Sequence, residues 1–311
     1  MKCGIIICKQ NYTEYNRKDN IKMYIRDKFK EKKQLLSAEV FPPKKENTID
    51  TVTPVVAELA KLPFDYMSVT YGAGGSTSKK TAAIASYMKD ELNLTALAHL
   101  TCISSSKETV HQELTDLKDR GIENILALRG DIPSDPDFVL PNHYKYASDL
   151  INEIKEFGGF CIGAACYPEC HPDSATPDDD LEHLKAKVDA GVDFLVTQMF
   201  FDNEAFYDFR NRAAQKGINI PIDAGIMPLT NINQIKRMCV LSGGASMPAK
   251  FTRMISKYEN NPQALKQAGI AYAVDQITDL LSNDISGIHL YTMNKPEIAQ
   301  NIVGAINTLF E

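Results

Sequence analysis

The stretch Asn124 to Pro133, reading N-I-L-A-L-R-G-D-I-P, concentrates reactive side chains at one point of the chain. Ile125 to Leu128 is a short apolar run of the kind that forms a buried parallel strand. It opens into Arg129, Gly130 and Asp131, and Pro133 stops the strand from continuing. An arginine can fork onto a phosphate or carboxylate. A glycine lets backbone approach a ligand closely, and a carboxylate can orient or ionise a group. Taken alone, the three residues would equally describe an Arg–Asp surface pair at a strand end. Other polar residues sit at the predicted ends of apolar runs in the same way: Glu39, Thr70, His99, Tyr167 with His171, Gln198 and Lys295.

Two further constellations invite chemistry. Cys161, Cys166, Cys170 and His171 include a C-x3-C-H spacing that offers soft metal ligands, although it is not a standard zinc pattern. A metal-dependent aldolase or lyase is therefore one alternative. The glycines of 72–75 suggest a phosphate cradle. Neither a P-loop nor a G-x-G-x-x-G fingerprint is present, so a nicotinamide or flavin would have to bind without a Rossmann fold.

The elements that must position these groups follow a regular rhythm from Gln34 onward. Strands are predicted over 35–40, 66–70, 95–100, 125–128, 160–165, 194–197, 220–225 and 288–290. Helices are predicted between them, among them 48–62, 79–92, 107–120, 146–157, 180–190, 204–215, 231–241, 248–258 and 262–281, with 297–309 closing the chain. Gly121, Gly191 and Gly217 supply stop signals. Eight strands alternating with helices match a single-domain α/β fold, a (β/α)8 TIM barrel, whose ligand site lies at the C-terminal strand ends. A doubly wound open sheet has the same alternation. The barrel is assigned to residues 34–311. Residues 1–33, with a basic helix-permissive run at 26–33, form an N-terminal extension or leading helix with no catalytic role.

A net charge of -6 over 311 residues provides no global field for nucleic acid or an anionic membrane, so an anionic ligand must be met by local groups. Seven cysteines without a regular framework point to a reducing compartment. No apolar stretch approaches the roughly 20 residues of a membrane span, and the apolar run at 5–8 is too short for a signal peptide. The expectation is a cytoplasmic protein.

Ten blocks then carry a resemblance. They include S-A-E-V-F-P-P (37–43), S-V-T-Y-G-A-G-G-S-T (68–77), A-H-L-T-C (98–102), A-L-R-G-D-I-P (127–133), Y-P-E-C-H-P (167–172), T-Q-M-F-F-D (197–202) and Y-T-M-N (291–294). In order and spacing they resemble the bacterial 5,10-methylenetetrahydrofolate reductase family from Gln34 to the C-terminus. The resemblance implies an FAD-containing barrel in one-carbon metabolism, supplying methyl groups for methionine synthesis. NADH or NADPH reduces the flavin and leaves, and the folate then takes the hydride. Glu39 stands among apolar neighbours, Ala38, Val40 and Phe41, and the resemblance implies it as general acid for opening the methylene bridge, and Asp131 as the carboxylate that stabilises the cationic intermediate.

Gln198 would meet the pterin edge, and Gln234 matches a substrate-contacting position. FAD contacts transfer to Thr70, His99, Arg129, Gly130, Asp131, Tyr146, Ala147, Tyr167, His171, Asp180 and Lys187, and no metal is implied. Lys295 stands where most relatives carry arginine, which loses the bidentate fork. Met238 stands where a stacking phenylalanine is usual. The family pattern implies a homo-oligomer, with an electron-transfer partner subunit in some relatives. A non-catalytic scaffold subunit is the remaining alternative, and keeping Glu39, Asp131 and Gln198 together argues against it.

Overall fold

Each strand of this protein alternates between two buried faces, and that alternation decides what reaches the interior. In the computed structural model, which describes residues 23–44, 46–71, 78–132, 137–235 and 246–310, the strands close into a barrel. They are β1 (Leu35–Val40), β2 (Tyr66–Val69), β3 (Thr95–Thr101), β4 (Asn124–Leu128), β5 (Cys161–Cys166), β6 (Phe194–Thr197), β7 (Ile222–Ile226) and β8 (Gly287–Tyr291). All pairs are parallel, and β8 closes on β1 with Leu35 opposite Gly287 and Glu39 opposite Tyr291. Closure excludes the open doubly wound sheet.

Helices α1 (Ile25–Glu31), α2 (Thr53–Leu59), α3 (Ser78–Asp90), α4 (Lys107–Asp119), α5 (Ala147–Phe157), α6 (Pro177–Asp189) and α7 (Asn203–Gln215) precede β7. Helices α8 (Ala249–Tyr258), α9 (Pro262–Ser282) and α10 (Pro296–Ile306) follow it. The predicted helix 48–62 is divided into a 3-10 turn, Ile49–Thr51, and α2. Pro54 is the reason: it has no N–H to continue the ladder from Asp50. Residues 1–22, the glycine loop 72–77, Pro133, and the predicted helix 231–241 beyond Ile235 lie outside the described residues.

Outward residues Leu36, Ala38 and Val40 join the main core under the helices. Inward Leu35 joins a second cluster at the barrel floor with Tyr66, Leu97, Leu126, Cys161, Phe194 and Val196. The segment before Gln34 completes that floor. Tyr24 and Ile25 are buried in the same cluster, and Phe29 packs 5.7 Å from Phe194, ring centre to ring centre. Arg26 is tied to Asp193 at 3.3 Å.

Asn124, 2% exposed, is the fastener. Its Oδ1 accepts from the Ile25 N–H at 2.9 Å, and its Nδ2 donates to the carbonyls of Met23 and Ala96 at 3.0 and 3.1 Å. Asn124→Ala strands one buried donor and two acceptors. It is expected to cost about 2–3 kcal/mol and to speed amide exchange in α1 before the rest of the barrel. Unchanged protection at Ile25 would refute the fastening role.

Candidate active site

A cavity of about 410 Å³ opens at the C-terminal strand ends. The parity of β1 points Ser37 and Glu39 inward. At the rim Glu39 is met by two histidines, its Oε2 lying 3.5 Å from His99 Nε2 and 4.0 Å from His289 Nε2. The apolar neighbours expected around Glu39 from the sequence are elsewhere. Ala38 and Val40 face the outer core, and Phe41 is exposed. One-residue alternation makes sequence neighbours poor guides to spatial ones. His289 comes from β8, with Nδ1 2.8 Å from the Ser37 hydroxyl and Nε2 3.3 Å from that of Ser68.

His99 is 6% exposed, and its Nε2 has no hydrogen-bond partner. Burial pushes its pKa down to about 4, against a smaller opposing pull from Glu39 and with a further push down from His289. It is therefore neutral at physiological pH. The sign of the pH effect follows from linkage. Between the ordinary value of 6.5 and about 4, the unfolded chain binds a proton that folded His99 refuses. Stability contributed by neutral His99 is thus complete above pH 6.5 and is lost as pH falls, up to about 3 kcal/mol. Urea unfolding at neutral and acidic pH is expected to show this limb in the native protein and a shallower one in His99→Gln. Identical limbs would contradict it.

The β4 end builds the opposite wall. Arg129 donates from Nη2 to Asp173 at 2.8 Å, a contact that holds the Asp173 carboxyl below its ordinary range. The Arg129 carbonyl accepts from the N–H groups of Cys102 and Ile103, at 3.2 and 2.9 Å, fixing the loop after β3. Gly130 has φ +82, and a Cβ there would sit 2.8 Å from Thr101 Cβ, so this turn requires glycine. Asp131 follows at the exposed lip.

Beyond β5, Tyr167 and His171 meet edge to face at 4.6 Å. Burial raises the Tyr167 hydroxyl to about 12 and, together with Arg129, lowers His171. Lys187 reaches inward from α6, donates to the Ala165 carbonyl at 2.6 Å, and is shifted down by burial. Gln198 lines the cavity, its Oε1 accepting from the Met199 N–H at 2.9 Å.

The cavity thus gathers Glu39, His99, Arg129, Gly130, Asp131, Ala147, Tyr167, His171, Lys187 and Gln198. Thr70, Tyr146, Asp180, Gln234 and Lys295 are not among its lining residues. Thr70 follows β2 with its N–H on the Val40 carbonyl. Tyr146 caps α5 with an exposed ring, and Asp180 accepts from Ser174 at 3.0 Å. Gln234 is buried, and its amide serves its own loop: Oε1 accepts from the Thr230 N–H at 3.1 Å, and Nε2 donates to the Pro228 carbonyl at 3.1 Å. Lys295 is exposed at the start of α10, and Met238 lies outside the described residues. A second cavity, about 650 Å³, lies between α3 and α4 and shares Tyr71, His99 and Ser104 with the first.

Tyr291 and His289 were not singled out as site residues from the sequence, although both reach the site. Tyr291 lines the cavity, and its hydroxyl donates to the Thr197 carbonyl at 2.7 Å. The signal was available in I-H-L-Y, where His and Tyr two apart must share one face of β8. The same parity separates two members of the cysteine–histidine group. Cys161 and Cys166 are five residues apart on β5, so Cys161 packs in the floor and Cys166 in the outer core. Among the described residues no group of three His, Cys, Asp or Glu side chains could hold a metal ion. Among them, too, no helix is long and apolar enough to cross a membrane.

Residues 24–307 match the family described as methylenetetrahydrofolate reductase, a match that begins ahead of the Gln34 boundary marked by the motifs. The chain is 35% identical over 270 residues to the 5,10-methylenetetrahydrofolate reductase of Pectobacterium carotovorum, covering 86% of this chain and 88% of that one. It is 38% identical over 280 residues to the methylenetetrahydrofolate reductase (NADH) 1 of Arabidopsis thaliana, covering 86% of this chain and 47% of the plant protein. An uncharacterized Clostridium thermocellum protein that binds two copies of 5-methyl-5,6,7,8-tetrahydrofolic acid shares the fold, with a TM-score of 0.64 at 16% identity. That alignment covers 91% of this chain and 98% of the other.

Proposed function

The chain belongs to the methylenetetrahydrofolate reductase family, and we propose that it reduces 5,10-methylenetetrahydrofolate to 5-methyltetrahydrofolate as an FAD enzyme fed by a reduced nicotinamide. The observation that carries this reading is Glu39, a carboxyl beside two imidazoles lining a cavity whose other wall holds Arg129, His171 and Lys187.

The residues present fit an FAD. Lys187 is a buried cation whose one hydrogen bond goes to a carbonyl, and an anionic diphosphate would relieve its desolvation. Arg129 offers further donors beside it. Neutral His99 directs an unpartnered ring nitrogen at Glu39 and the cavity. Bound there, a flavin would supply hydride chemistry between the reduced nicotinamide and the folate. Glu39 donates its proton to the leaving nitrogen of the methylene bridge, so the bridge opens to an iminium that can accept hydride. Asp131 at the lip places a negative charge beside that cation, and Gln198 offers an amide to the pterin edge. The catalytic unit is the barrel of 34–311 together with α1, which seals its floor.

An anaerobic absorbance spectrum tests the reading. Bound flavin should bleach with NADH or NADPH and recolour with methylenetetrahydrofolate. Flavin that ignores both nicotinamides but recolours after chemical reduction would move the electron donor to a partner protein. A protein that binds no flavin after added FAD would overturn the proposal.

A further inference from the structure

Below Glu39 the barrel axis is polar where hydrocarbon would pack as well. Asp223 points inward from β7 and is fully buried. The Tyr66 hydroxyl donates to its Oδ2, while its Oδ1 has no hydrogen-bond partner. The Ser37 hydroxyl faces both Tyr66 and Asp223 and lies 2.8 Å from His289 Nδ1. The far side of that ring, Nε2, is the atom 4.0 Å from Glu39 Oε2. A carboxyl buried with one oxygen unpaired is destabilising, and nothing in the reaction as described so far uses it. Yet exchangeable groups lie in series from this carboxyl towards the acid, with a last step of 4.0 Å from His289 Nε2 to Glu39 Oε2 and the Ser68 hydroxyl 3.3 Å from the same Nε2.

We infer that Asp223 is a proton store for Glu39, replacing its proton through Ser37 and His289 in the same step that protonates the substrate. The inference rests on the reductase reading above. The transfer balances as follows. As Glu39 gives its proton to the substrate nitrogen, His289 Nε2–H passes a proton to the same Glu39 carboxyl. Ser37 O–H passes one to Nδ1, and the Asp223 O–H passes one to the Ser37 oxygen. Asp223 is left ionised, Glu39 protonated, and His289 neutral in its other tautomer. Tyr66, donating to Oδ2, steadies the new carboxylate. Product release reopens the cavity, and a solvent proton returns by the same route in reverse.

The surroundings of Asp223 suit a store. Burial pushes its carboxyl up to about 7, Asp65 pushes the same way, and hydrogen bonds from Tyr66 and Ser37 pull back. Its register partners Val196 on β6 and Gly287 on β8 carry no charge. His289 is the next titratable group along the route. Glu39 is 19% exposed in the open cavity, and a folate seated over the rim would cover it, which leaves the barrel floor as its proton source.

The test uses the reduced holoenzyme, mixed in a stopped-flow instrument with methylenetetrahydrofolate across neutral pH, in the native protein, Asp223→Asn and Tyr66→Phe. Asp223→Asn should slow flavin reoxidation by about tenfold or more above neutrality and remove the inflection near pH 7, with reduction by nicotinamide unchanged. Tyr66→Phe should keep the inflection and move it upward, because the carboxylate loses a donor. A folded Asp223→Asn protein with the native rate and pH profile overturns the inference. An isotope-edited infrared titration of the native protein is read independently of any variant or of flavin binding. Loss of a protonated aspartate band near neutrality, coupled to a His289 nitrogen shift, supports the store. A fully ionised Asp223 on both sides of neutrality refutes it. Absence of flavin would defeat the functional reading instead and leave the infrared result standing.

Discussion

Glu39→Gln is expected to slow reoxidation of the reduced flavin by methylenetetrahydrofolate by about 10² to 10⁴-fold, with reduction by the nicotinamide nearly unchanged. The amide keeps the volume of the carboxyl and the backbone contact through which the Glu39 carbonyl accepts from Thr292 Oγ1 at 2.7 Å. It cannot release a proton to the leaving nitrogen. Neither histidine substitutes for it. Burial strips His99 of its proton at neutral pH, and His289 lies deeper, 1% exposed beneath Glu39. Stopped-flow half-reactions separate the two steps. An equal fall in both would mean that the substitution disturbed the cavity, not the proton transfer, and would remove Glu39 from the role of acid.

Gly225→Ala should produce a large loss of stability for a single-methyl change. A Cβ at Gly225 would sit 2.4 Å from the Thr197 carbonyl oxygen and 2.8 Å from the Tyr291 ring. The Gly225 N–H also donates to Thr197 Oγ1 at 2.8 Å, so the two strands cannot part without losing that bond. Side-chain rotation cannot relieve a collision with a main-chain oxygen. Overpacking of this kind costs about 3 kcal/mol, the upper part of its usual range. In a chain of this length that is a fall in Tm of roughly 5 °C. Gly304 on α10 is the control. A Cβ there meets nothing within 4 Å, and Gly304→Ala should stabilise the protein by about 0.5–1 kcal/mol. Equal calorimetric shifts for the two variants would show that Gly225 is not under steric demand. Any surviving Gly225→Ala protein should also bind folate more weakly, because Tyr291 must leave the Thr197 carbonyl.

The sequence by itself determined the strands and the rim. Parallel strands buried on both faces must be short apolar runs, so β1 and β6 were legible to the residue and the other six to within two. Arg129, Gly130 and Asp131 could be placed at a strand mouth because apolar residues stop there. The motif blocks carried the family. What one-dimensional spacing could not supply was which side chains share the interior. Glu39 and His289 are adjacent because β8 closes on β1, a contact between residues at opposite ends of the chain, and only the closed barrel makes it. Parity separated Cys161 from Cys166 and removed the apolar neighbours expected around Glu39. Tertiary packing also committed the Gln234 amide to its own loop and set Asp223 against Tyr66 on the axis. These outcomes share one physical cause. Secondary structure is written in local periodicity, whereas the environment of a polar side chain is set by strands that meet only after closure, where desolvation and the few available partners decide its charge.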